Sequence, residues 1–349
     1  MLETEPIGSI PRPPELVAAA TGGASPEQVE ELAQAALRDT IHRFEATGSP
    51  VITDGEQTKS SFVTYPLDGA GNIGPGGATI PFADGHTRQL PQLIDGPFRY
   101  AHHADEFLRP ALDLAHVPVK QAVIAVSAIS LLYPAEPIVG YSRDEFLADL
   151  VQEGVADIRR CLDAGAAKVQ VDFTEGRLAL KLDPTGSLLR QFVALNNQVL
   201  DHFDDAERSR IGVHTCPGGD QDSTHSADVD YDSLLPDLFR LRAGNFYLQM
   251  ASEPDRPRVL RTIADHLPAD ARVFVGVIDP IDPRVESAEE VCSRVLEAAE
   301  VLPIDRLGTC DDCGFSPFGD DLSTSRDLAF AKISARLDGT RLAAERLGV

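Results

Sequence analysis

The sequence predicts one (β/α)8 barrel of the TIM type over residues 1–349, and three observations lead there. Eight short apolar segments read as strands: Ile7 to Ile10, Val51 to Thr53, Val119 to Val126, Lys168 to Asp172, Arg210 to Cys216, Asn245 to Met250, Arg272 to Asp279 and Arg306 to Cys310. Amphipathic stretches follow nearly every one, and this alternation implies a parallel sheet that eight repeats can close. After the first segment, Gly8-Ser9-Ile10-Pro11-Arg12 is not a dinucleotide fingerprint, which places the barrel ahead of a doubly wound open sheet.

The helical patterns span Pro26 to Thr47, Ser142 to Ala164, Leu188 to Phe203, Tyr231 to Leu241, Pro257 to Leu267, Ser287 to Leu302 and Ser323 to Leu347. Several start at a Ser or Asp able to cap free amides. Between the second and third strands lies an insertion, residues 57–116, glycine-rich from Gly69 to Gly77. Its aromatic residues, Phe62, Tyr65, Phe82, Phe98 and Tyr100, predict a packed flap over the barrel mouth, because so long a loop in a compact domain is usually functional or disordered.

An apolar fraction of 43% suffices for a large core, and a formal charge of −24 argues against nucleic acid or an anionic membrane as partner. Lysine supplies only five of the 31 basic residues, and the many carboxylates read as a solvated, solubilising surface. The longest apolar stretch, Ala122 to Leu132, is interrupted by serines and falls short of a membrane span. With no basic or apolar leader after Met1, the expectation is a cytoplasmic protein. The five cysteines, an odd number, fit free or metal-bound thiols better than a disulfide framework.

Chemistry concentrates in two motifs, His214-Thr215-Cys216 and Cys310-Asp311-Asp312-Cys313-Gly314. Alternate strand residues share a face, so His214 and Cys216 point the same way at the end of the fifth segment. That end is the carboxyl rim, where barrel active sites lie, and Cys313 follows the eighth strand at the same rim. Two thiolates and an imidazole form a soft ligand set suited to zinc.

The succession Ile7-Gly8-Ser9, Asp54-Gly55-Glu56, Gln170-Val171-Asp172, His214-Thr215-Cys216 and Asp312-Cys313-Gly314 resembles the catalytic domain of cobalamin-independent methionine synthase, in order and over nearly the whole chain. The resemblance implies a zinc-containing barrel that binds homocysteine as a thiolate and methylates it from a methylfolate. It implies His214, Cys216 and Cys313 as zinc ligands, Ile7 and Ser9 as contacts to the amino-acid carboxylate, and Glu56 and Asp172 as catalytic contacts to its ammonium. The chain reads as one of the short, single-barrel relatives, without the related amino-terminal barrel of the full-length synthase. Its expected partners are a small thiol and an alkyl donor, and a homo-oligomer is compatible with the sequence.

Several positions depart from the family pattern. Gln249 stands where the family's fourth ligand is a glutamate, with Cys310 and Glu253 as other candidates. Phe173 replaces a glutamate after Asp172, Ile281 falls nearest the family's proton-delivering histidine, and no tryptophan is present to stack on a pterin. His86 or His225 could replace that histidine, and Arg12, Lys59 and Arg88 could meet an anionic tail. Another short relative, epoxyalkane:coenzyme M transferase, uses a similar His/Cys/Cys zinc site to open an epoxide with a thiolate, which is the alternative reading. A uroporphyrinogen decarboxylase-like barrel without metal is the second alternative, and a non-catalytic zinc protein the third.

Overall fold

The computed structural model describes residues 2–349. Seven strands form one sheet: β1 (Glu3–Thr4), β2 (Lys120–Ile124), β3 (Lys168–Asp172), β4 (Ile211–Thr215), β5 (Asn245–Leu248), β6 (Arg272–Ile278) and β7 (Leu307–Asp311). Their spatial order is β1-β7-β6-β5-β4-β3-β2, and every neighbouring pair is parallel. All residues of β2, β4, β5 and β7 are buried, because such strands carry apolar faces toward helices outside and side chains within.

Two of the eight expected strands differ. Val51 to Thr53 contributes a single parallel bridge, Ile52 to Val119. It ends there because Gly55 and Glu56 follow at φ 65° and 56°, left-handed values that turn the chain out of extended geometry. The first strand is Glu3–Thr4 instead of Ile7 to Ile10. The Ile7 N–H donates to the Asp311 carboxylate at 3.2 Å and that of Ile10 to the Gly55 carbonyl at 3.0 Å, so this segment crosses the rim without entering the ladder. Among the described residues the sheet therefore has seven strands, with Ile52 beside its β2 edge.

Local sequence accounts for most helices. Ser142 and Glu145 form a capping box at the start of Arg143–Ala164, which buries Phe146, Leu150 and Ile158 and stops at Gly165, φ 104°; such a cap is worth about 1 kcal/mol. Ser287 and Glu290 do the same for Ala288–Ala299. The expected helix Tyr231 to Leu241 is instead a 3-10 turn, Tyr231–Ser233, and one helical turn, Leu235–Leu238. Pro236, with no N–H to donate, prevents a continuous helix there. Helices Pro14–Gly22, Asp105–Leu114 and Glu175–Leu182 were not anticipated.

Beneath the rim the interior is polar. The Tyr247 hydroxyl donates to Glu5 Oε2 at 2.7 Å, Lys168 Nζ donates to Glu5 Oε1 at 2.5 Å, and Lys120 Nζ lies 4.0 Å from the Tyr247 ring centre. Burial pushes the Lys120 ammonium down to about 8.

Residues 57–116 form the turn Tyr65–Leu67, two small antiparallel ladders and the helix Asp105–Leu114. They are tied to the loops after β4 and β7. Ala83 N donates to the Thr224 carbonyl and Phe62 N to that of Pro317, each at 3.0 Å, while Arg88 pairs with both Asp220 and Asp320. Among the described residues no helix is long and apolar enough to cross a membrane.

Candidate metal centre and active site

His214 leaves β4 and Cys216 follows one residue past its end, on the same face. Cys313 stands two residues beyond β7, across the rim. One ligand atom from each lies within 4.8 Å of the others, and the two sulfurs are 3.0 Å apart. The hydrogen bond from Cys313, against opposing burial and with help from His214, holds the Cys216 thiol well below its ordinary range. His214 Nδ1 faces the Tyr247 carbonyl at 3.3 Å, an acceptor that favours the Nδ1–H tautomer of the neutral ring. The His214 Nε2 is buried without a hydrogen-bond partner.

The three candidates for a fourth position differ in what they already contact. Gln249 Nε2 donates to Ser252 Oγ at 2.7 Å, and its Oε1 is buried and unpartnered. Glu253 is paired with Arg177 at 3.2 Å. Cys310 sits below the rim, packed with Ile7, Tyr247 and Phe274, its thiol on the Phe274 carbonyl at 3.4 Å. Gln249 keeps a buried, unpartnered acceptor without a competing cation, and it lines one cavity of about 170 Å³ with Cys313. Two sulfurs and two orphaned buried acceptors, His214 Nε2 and Gln249 Oε1, are what a resident divalent zinc would need.

A smaller chamber beside this cluster, about 20 Å³, is lined by Ile7, Ser9, Glu56, Asp172, His214 and Cys313 among others; that is room for about one water. All the sequence-predicted contacts thus meet around one space. The Ile7 N–H is already taken by Asp311, so Ile7 offers shape alone. Ser9 Oγ accepts from Ser316 N at 3.1 Å, which leaves its hydroxyl proton free to donate. Glu56 is buried, with Lys59 Nζ 3.8 Å from its Oε1 and no partner for Oε2; burial pushes its carboxyl up to about 7. Asp172 accepts from Gln170 Nε2 at 2.7 Å and is also raised by burial.

With this geometry established, the comparisons are direct. The family model described as "Cobalamin-independent synthase, Catalytic domain" matches residues 2–326. The chain belongs to that family. A 5-methyltetrahydropteroyltriglutamate--homocysteine methyltransferase of Nitratidesulfovibrio vulgaris is 26% identical over 90% of this chain, which spans only 38% of that relative's length. A 2-hydroxypropyl-CoM lyase of Xanthobacter autotrophicus is 30% identical over 32% of this chain and 28% of its own. In fold, a B12-independent methionine synthase from Shewanella sp. W3-18-1, in complex with selenomethionine, superposes with a TM-score of 0.79 at 18% identity, covering 99% of both chains.

Against the cobalamin-independent synthase pattern, the structure corrects the expected anion-binding groups. The Arg12 guanidinium is buried and spent on the carbonyls of Glu56, Lys59, Ser316 and Phe318. Lys59 Nζ donates to the Ala122 carbonyl at 2.8 Å, and Arg88 is held by Asp220 and Asp320. None of the three is free for a sulfonate or carboxylate tail. The candidate proton donors fare similarly. His86 has Asp84 on one nitrogen and Asp220 on the other, and burial pushes His225 down to about 4.

Asp312 escaped the sequence reading. Its carboxylate accepts from the backbone of Met250, Ala251 and Ser252 and from the Ser252 hydroxyl, all at 2.7–2.8 Å. It ties the loop carrying Gln249 to the loop carrying Cys313. The one available signal was an acidic residue beside a candidate ligand.

Proposed function

We propose that this chain is a zinc-dependent thiol alkyltransferase, and that its main reaction is methyl transfer to homocysteine or a related thiol. One observation carries the reading: two sulfurs and the unpartnered buried Nε2 of His214 converge beside a chamber lined by two carboxylates. His214 Nε2, Cys216, Cys313 and Gln249 Oε1 would hold the metal, a set of net charge near zero. Bound zinc lowers the pKa of a substrate thiol, so that its thiolate form is present near neutral pH.

The remaining work falls to the chain itself. Glu56 and Asp172 receive the ammonium of the thiol substrate, and Ser9 donates to its carboxylate. Residues 57–116 close the mouth and exclude water, with Val51 to Thr53 acting as the eighth stave of a single-domain barrel. The spent state of Arg12, Lys59 and Arg88 supports an amino-acid thiol over a sulfonate thiol. The proposed partners are thus a small thiol and an alkyl donor, methylfolate or epoxide.

Opening of an epoxide by the metal-activated thiolate is the second reading, supported by the partial likeness to the lyase and by Ile281 at the position of the family histidine. A metal-free decarboxylase has no use for a buried His/Cys/Cys cluster. Metal analysis tests the central claim: about one zinc per chain is expected, with loss in His214→Ala and Cys216→Ser. Wild-type protein that binds no zinc sinks it. Assays of homocysteine and coenzyme M against methylfolate and a small epoxide then separate the two reactions.

A further inference from the structure

We infer that Glu175 is the acid that protonates the leaving atom of the alkyl donor, and that the donor's reacting end enters the apolar cavity between the helix Glu175–Leu182 and the insertion. This inference rests on the alkyl-transfer reading above. The cavity, about 50 Å³, is lined by Glu175 together with Phe62, Phe82, Leu131, Leu178 and Phe318. It shares Phe62, Thr174 and Gly219 with the chamber that holds Glu56, Asp172, His214 and Cys313, so the two spaces adjoin at the metal cluster.

Hydrogen bonding fixes where the proton of Glu175 resides. The Asn196 amide donates to Ser127 Oγ at 2.6 Å and to the Phe192 carbonyl at 3.1 Å, which identifies that atom as nitrogen. Ser127 accepts from Asn196 and donates its own hydroxyl proton to Glu175 Oε1. An oxygen that accepts in this way does not carry the acid proton, so the proton sits on Oε2. That oxygen is buried and has no partner in the protein. Ser127 and Asn196 are positioning residues that aim it.

The groups facing Glu175 leave it as an acid. Arg88 lines the same cavity but is bound by Asp220 and Asp320, and His225 is neutral. Asp172, on the neighbouring β3, repels a second negative charge. Burial first, with Asp172, pushes Glu175 up to about 8 against the hydrogen bonds of Ser127 and its own backbone. During transfer the thiolate sulfur bonds to the alkyl carbon as that carbon's bond to nitrogen or oxygen breaks. The electron pair stays on the departing heteroatom, the Oε2 proton moves to it, and the Glu175 carboxylate regains a proton from solvent.

The test compares full-length, metal-loaded wild type and Glu175→Gln, with homocysteine as thiol and three donors: methyltetrahydrofolate, propylene oxide and trimethylsulfonium. The sulfonium departs as a neutral thioether and needs no proton. Glu175→Gln should be about 100-fold slower on whichever of the first two donors the wild type uses, at unchanged zinc content and homocysteine affinity, and should match wild type on the sulfonium. Wild-type rates on proton-requiring donors should also fall as pH rises through about 8. An undiminished rate for Glu175→Gln on those donors, or a flat wild-type profile, overturns the assignment. Wild type that turns over no donor refutes the alkyl-transfer reading instead. The protonation of Glu175 is read separately by infrared difference spectra of wild type against Glu175→Gln: a carboxylic-acid band at about pH 7 that is present only in wild type and fades above about pH 9 is expected, and its absence overturns the assignment.

Discussion

Ser252 Oγ stands between Gln249 and Asp312, accepting from the Gln249 amide at 2.7 Å and donating to the Asp312 carboxylate at 2.8 Å. The order of donors leaves Gln249 Oε1 as a free acceptor, on a residue that lines one cavity with Cys313. Removing the hydroxyl by Ser252→Ala should let the amide rotate and weaken zinc binding by about 10- to 100-fold. Stability should fall by only about 1 kcal/mol. Competition with a chromogenic chelator measures the first effect and denaturant unfolding the second; undiminished zinc affinity would remove Gln249 from the ligand set.

The Cys216–Cys313 separation of 3.0 Å has a redox counterpart. A disulfide needs about 2.05 Å between sulfurs, so a small approach suffices once no metal competes. Metal-stripped protein under mild oxidant should lose two of its five thiols, leaving three (5 − 2). Zinc-loaded protein should keep all five. A denaturing thiol count gives the answer, and five thiols in oxidised apoprotein would contradict it.

Glu56 links the site to pH. Its carboxyl is fully buried and raised from an ordinary value near 4.5 to about 7, so the fold favours the protonated form. The sign follows: stability is highest below the unfolded value and declines as pH rises from about 4.5 to about 7, by on the order of 3 kcal/mol. Glu56→Gln should lack this decline and be the more stable protein at about pH 8. It should nevertheless bind homocysteine more weakly, since the ammonium loses a carboxylate. Paired melts across the pH range check the first claim and calorimetric titration the second.

Gly218 sits in the loop after Cys216 at φ 70°, and a Cβ there would come within 1.8 Å of His225 Nε2. Gly218→Ala therefore meets both left-handed strain and a ring with nowhere to go, and should destabilise the protein by more than about 1 kcal/mol. The loop's disturbance should also lower zinc retention. A melting temperature and metal content equal to wild type would show that the loop tolerates the side chain.

The strands that bring the candidate ligands together were legible because their signal is local. Alternation in Ile211–Thr215 put His214 and Cys216 on one face, and apolar runs marked β3 to β7. What escaped depended on partners remote in sequence. Ile7 to Ile10 is as apolar as a strand, yet its first amide is captured by Asp311, some 300 residues away. Arg12 and Lys59 looked available for an anion until their carbonyl partners were seen. The Asp312 nest and the Asn196–Ser127–Glu175 relay join segments that no period in the sequence connects.

Arg88 holds one loop after β4 and another after β7 through Asp220 and Asp320, while the chamber beside them admits about one water. A molecule larger than water cannot enter that chamber until something at the rim gives way. Dissolved salt weakens the part-exposed Arg88–Asp320 pair, whereas the Arg88–Asp220 pair, with Asp220 buried, is screened far less. Moderate salt should therefore loosen the loop after β7 before the loop after β4, so the two sides of the rim respond unequally to the surrounding electrolyte.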